Sequence, residues 1–140
     1  MAVIYTEAPE VAEIAKGLIE KYHQHLLGED IEYVYRDKAA MKGDKVKLGT
    51  ARKVSALPAF LSRQSTDPYF LMEIARDEWL SLDAKQREAL VDHELCHFGV
   101  TEDGSRYIIP HDLEEFTAVV QRHGLWRPEV ARMVNAGQGS

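Results

Sequence analysis

Residues 93–97 read His93-Glu94-Leu95-Cys96-His97, and this run constrains the chain more than any other. A His-Glu-x-x-His arrangement acts as a unit only on a helix. At about 100° per residue, two histidines four apart lie on one face, roughly 40° from each other and one turn up. Both imidazoles can then reach one tetrahedral zinc ion, while Glu94, a further ~60° round, addresses a water on the metal instead of the metal. Such a set suits metal-assisted hydrolysis. Zinc lowers the pKa of its water towards ~7, and the glutamate takes the proton as water attacks a polarised carbonyl. Chance produces the five residues in roughly 2–3% of chains with this His and Glu content, so their surroundings decide.

The spacing predicts a helix from about Asp83 to Phe98. On a helical wheel Val91, Leu95 and Phe98 form an apolar stripe almost opposite the two histidines, which leaves the motif face to a cleft. Asp83 is placed to cap the N-terminus, with Gln86 at N3 completing a capping box, and Gly99 to cap the C-terminus. Cys96, about 60° round from His93, reads as a packed thiol.

The 140 residues fit one domain, 1–136, with 137–140 as a frayed tail. A formal charge of −6 argues against a general nucleic-acid binder. The start lacks the basic and apolar regions of a signal peptide, and no run approaches the ~18 apolar residues of a membrane span. The single cysteine excludes an intramolecular disulfide framework and fits a reducing compartment, so the expected location is cytoplasmic.

In chain order, Pro9 to Leu27 reads as an amphipathic helix ended by Gly28, and its His23 and His25 read as surface residues. Ile31 to Arg36 reads as a strand. Lys38 to Lys53 is the one basic section, with a turn at Gly43-Asp44 and a strand from Val46 to Val54. Its charges fit the solvated face of an exposed strand, or a contact for an acidic or nucleic-acid-associated substrate. Ser62 to Pro68 is turn-like, Tyr69 to Ala75 a third strand, and Trp79 to Leu82 the lead into the motif helix. After a turn at residues 102–105, Arg106 to Ile109 is extended. Asp112 can cap a further helix with Glu115 at N3, Gly124 closes it, and Pro128 opens a short last helix. The fold class is α+β, a small sheet with helices packed on it.

Catalytic zinc takes three protein ligands and keeps one position for water. His111, held by Pro110 at a helix start, is the first candidate for the third ligand, with Glu114 and Glu115 as alternatives; Asp103 and Asp112 are better explained by turn and cap. His93-Glu94-Leu95-Cys96-His97 together with Pro110-His111-Asp112-Leu113-Glu114-Glu115-Phe116 resembles the Putative phage metallopeptidase family, and Leu48-Gly49-Thr50-Ala51-Arg52-Lys53-Val54-Ser55 adds to the likeness. That family in turn resembles the SprT-like (Spartan-type) zinc peptidases. The resemblance implies a zincin-like fold, one zinc per chain, Glu94 as general base, and an origin in phage or prophage genomes. SprT-like proteins often carry a zinc ribbon or other DNA-binding region, and this chain has no further cysteines for one.

The leading expectation is a zinc peptidase acting on a protein substrate, with His93, His97 and His111 on the metal and Glu94 activating water. Tyr69 to Ala75 is the expected edge strand for an extended substrate. Tyr107 is weighed as an oxyanion stabiliser against packing in the core. The rivals are a repressor-cleaving peptidase of phages and mobile elements, with a glutamate as third ligand, and a metal-stabilised binding module without turnover. Against the last stands Glu94, since a structural site has no use for a general base and is usually closed by four ligands. Nucleic acid is expected as a partner only through the Lys38–Lys53 section, and a membrane not at all.

Overall fold

The computed structural model describes residues 2–110 and, beyond them, Arg122, His123, Arg132 and Ala136. Met1–Ile109 forms one compact unit and Pro110–Ser140 another. The helix expected from Asp112, with His111, Glu114 and Glu115, lies outside the described residues, as do the start of the last helix at Pro128 and the tail 137–140.

Strand β1 (Tyr5–Glu7) leads into helix α1 (Pro9–Tyr22). Pro at the first turn starts that helix without losing a hydrogen bond, because the N–H it lacks would have no partner there. The helix is shorter than the expected Pro9–Leu27: a separate 3-10 turn, Gln24–Leu26, follows it, and Gly28 ends the segment at φ +79°. Strand β2 (Ile31–Arg36) runs as expected. The expected single strand over Val46–Val54 is two elements. Strand β3 (Ala40–Lys42) pairs with β4 (Lys45–Lys47) in a hairpin, and after Leu48 the chain redirects into β5 (Gly49–Val54), which pairs with a different strand. Helix α2 (Ala56–Arg63), which the sequence reading missed, then precedes strand β6 (Tyr69–Ala75), and the single-turn helix α3 (Arg76–Trp79) leads to the motif helix α4 (Ala84–Leu95). A hairpin of β7 (Phe98–Val100) and β8 (Arg106–Ile108) closes the unit.

The main sheet has the order β1-β2-β6-β5, with β2 and β6 parallel and the outer pairs antiparallel. The expected edge strand Tyr69–Ala75 is therefore central. Its composition explains this: six of its seven residues are buried, which suits a strand covered on both faces. Among the described residues the edge beside it is β5.

On one face of the sheet, Phe70, Met72, Ile74 and Tyr35 meet Val11, Ala15, Leu18 and Ile19 of α1 and Val91 and Leu95 of α4. Phe98 stacks on Phe70 with ring centroids 4.4 Å apart. The predicted stripe of Val91, Leu95 and Phe98 is thus fully buried. Removing one such side chain to alanine costs about 2–5 kcal/mol, so the sheet holds α4 firmly. Arg87 ties α4 to α1, donating to Glu10 at 2.8 Å and to the Trp79 carbonyl at 3.1 Å. No helix among the described residues is long and apolar enough to cross a membrane.

Candidate metal centre

Asp83 and Gln86 start α4 with a full capping box. The Gln86 N–H donates to the Asp83 carboxylate at 2.8 Å and the Asp83 N–H to the Gln86 side chain at 2.9 Å. The helix ends earlier than expected. Its last residue is Leu95 and Cys96 is the C-cap, so His97 stands in the turn that follows. Gly99 is not a cap: it lies buried in β7 with Tyr107 across the pair. Contrary to the expectation of a packed thiol, Cys96 is exposed.

The early end does not separate the motif residues. The His93 and His97 rings have centroids 5.2 Å apart, and donor atoms of His93, Glu94 and His97 all lie within 4.8 Å of one another. His93 is exposed, His97 half-buried, and Glu94 only 5% exposed. One Glu94 oxygen stands 4.0 Å from His93 Nε2.

His97 is fixed twice to the end of β8. Its backbone carbonyl accepts from the Ile109 N–H at 2.7 Å, and its ring Nδ1 lies 2.6 Å from the Ile109 carbonyl oxygen. A carbonyl can only accept, so Nδ1 carries a proton, and Nε2 is the nitrogen through which the neutral ring would ligate. This is the arrangement by which a histidine ligand has its tautomer and ring direction set from behind. The donor set fits a borderline metal ion: two imidazoles, one of them locked in the ligating tautomer, beside one carboxylate.

Two further histidines hold the motif from outside; both were expected on the surface, which holds for the exposed His25 and not for the buried His23. His23, 7% exposed, contacts Asp92 through Nε2 at 2.6 Å, and Asp92 immediately precedes His93. His25 Nε2 donates to the Phe98 carbonyl at 3.0 Å, one residue after His97. The 3-10 turn after α1 therefore grips both ends of the pentad. His23, Asp92 and Cys96 also form a second group of donor atoms within 4.8 Å of one another. Arg106, donating to Glu29 at 2.9 Å, anchors the β7–β8 hairpin to the same connection.

The start of β5 meets the pentad. A Cβ placed on Gly49 would lie 3.0 Å from Glu94 Oε2 and 3.2 Å from its Cδ and Cγ, so any larger residue here would press on the carboxylate and make it give way by a few tenths of an ångström. The Leu48–Ser55 segment flagged from sequence is in this way brought to Glu94. Tyr107, weighed as core packing or oxyanion stabiliser, is not in the core: it is 46% exposed, and its ring covers Gly99, where a Cβ would come within 2.5 Å of it.

No curated protein and no solved structure matches the chain significantly. The family model described as Putative phage metallopeptidase matches residues 3–138, nearly the full length, and the chain belongs to that family.

Proposed function

We propose that the chain is a zinc-dependent peptidase that hydrolyses peptide bonds of a protein substrate, with Glu94 as general base. His93 and His97 would hold the metal with His111 as third protein ligand. The observation that carries this reading is the His97 ring, its Nδ1 held by the Ile109 carbonyl, in donor range of His93 and Glu94. Membership of a metallopeptidase family supports a metal and a protein substrate. Bound zinc supplies Lewis-acid activation of water and of the scissile carbonyl.

The chain's own groups do the rest. Glu94, nearly enclosed by protein, takes a proton from the attacking water as the oxygen–carbon bond forms. It delivers that proton to the nitrogen as the carbon–nitrogen bond breaks, so the amine leaves neutral. An extended substrate would lie along β5, whose first residue adjoins Glu94, adding a strand to the sheet. This replaces Tyr69–Ala75, which is central, as the substrate strand.

The test is zinc titration against a competing chelator, with metal content as a second readout. The parent is expected to bind about one zinc per chain. His111→Ala should bind far more weakly, while Glu114→Gln and Glu115→Gln bind nearly as the parent does. A parent that takes up no zinc would end this reading. Loss of zinc in a glutamate variant, with His111→Ala unaffected, would put the repressor-cleaving type in its place.

A further inference from the structure

We infer that the substrate is an extended acidic segment, recognised by cations on both sides of the point where β5 meets Glu94. This rests on the peptidase reading and names its substrate class. Six of the chain's 17 basic residues, but only one of its 23 acidic ones, fall between Lys38 and Lys53. That stretch carries +5 and the rest of the chain −11. All six basic side chains, Lys38, Lys42, Lys45, Lys47, Arg52 and Lys53, are exposed.

Five of these six cations have no acidic partner among the described residues. Three arginines elsewhere are spent on ion pairs: Arg63 with Asp30 and Glu32, Arg87 with Glu10, Arg106 with Glu29. Within the basic stretch, among the described residues, only Arg52 has an acidic partner, Glu73 at 4.0 Å. The packing of the fold therefore uses almost none of this charge.

Its position gives it a use. Gly49 marks the level of Glu94 on β5. Lys47, the last residue of the β3–β4 hairpin, precedes it by two residues in the chain, and Arg52 and Lys53 follow on β5 three and four residues after it, roughly 10–13 Å along an extended strand. A peptide added to this edge would pass cations on both flanks and none beside the reacting bond. The edge also offers main-chain groups that suit a polypeptide strand, and the −11 of the remaining chain opposes a long polyanion. Both facts favour an acidic peptide over nucleic acid.

The experiment measures binding by fluorescence anisotropy to zinc-loaded Glu94→Gln protein, so turnover is not needed. The probes are one peptide with Asp and Glu two to four positions from its centre on both sides, its Gln/Asn twin, its Lys twin, and a single-stranded oligonucleotide of equal charge. The acidic peptide should bind about tenfold tighter than the neutral twin at low salt, and the gap should close at about 0.5 M salt. With Lys47→Glu and Lys53→Glu added, the Lys twin should become the preferred ligand. Equal binding of acidic and neutral peptides, a preference that survives the charge reversal, or tighter binding of the oligonucleotide would each overturn the inference. Parent protein is assayed for hydrolysis in parallel. Cleavage without acidic preference would refute this inference alone, and acidic preference without cleavage would refute the peptidase reading alone.

Discussion

At Gly49 a hydrogen stands where any other residue would press a carbon against the Glu94 carboxylate. Gly49→Ala should displace that carboxylate by a few tenths of an ångström while leaving the strand paired. The expected outcome is a loss of kcat by about ten- to a hundredfold with stability within about 1 kcal/mol of the parent, since placement near the reacting bond matters more than bulk does. Steady-state kinetics beside urea unfolding checks it; an unchanged kcat would mean that the β5–Glu94 approach has no part in the chemistry. At this scale the pentad was legible because its spacing is local and helical. The grip of His23 and His25 was not, because their partners are 69 and 73 residues away in sequence. A histidine with no neighbour at metal spacing gives no sign of such a contact.

The elements divide by the same rule of distance. The capping box of α4 was legible, since Asp83 and Gln86 are three residues apart. The end of α4 was not, because Phe98 keeps helical spacing yet leaves the helix to stack on Phe70 and start β7. The order of the sheet depends on pairings that span the chain, although the nearly unbroken apolar run of β6 was a readable sign of a central strand. The turn that grips α4 gives a prediction for the element. His23→Ala leaves Asp92 without its imidazole, and the half-exposure of Asp92 to water limits the damage to about 1–3 kcal/mol. Zinc affinity should fall about tenfold along with it, as when the support behind a ligand is lost. Urea unfolding and chelator competition measure the two. A stability loss with zinc affinity intact would restrict His23 to holding the fold.

For the whole molecule, the α+β class was legible from the mixture of helical and alternating patterns, and the uneven charge from composition. The use of that charge needed the sheet order, which sets β5 at an edge and Gly49 against Glu94. One global property follows from burial alone. Burial pushes the Tyr33 phenol up to about 12. The folded state therefore holds this proton more tightly than the unfolded one, and the stability it contributes is present below pH ~10 and lost as pH rises from there through ~12. Tyr33→Phe should flatten that alkaline decline, by at most about 2–3 kcal/mol, in urea unfolding followed from pH 9 to 12. An equally steep decline in the variant would place its origin in other groups.

The central claim is that Glu94 moves the proton while the histidines hold the metal. The most direct measurement compares peptide hydrolysis by zinc-loaded Glu94→Gln with that of the parent, with zinc content measured on the same samples. The account predicts equal zinc, an intact fold and a loss of hydrolysis by several powers of ten, since both activation of water and proton delivery depend on that carboxylate. Hydrolysis at the parental rate by a variant with full zinc would contradict it.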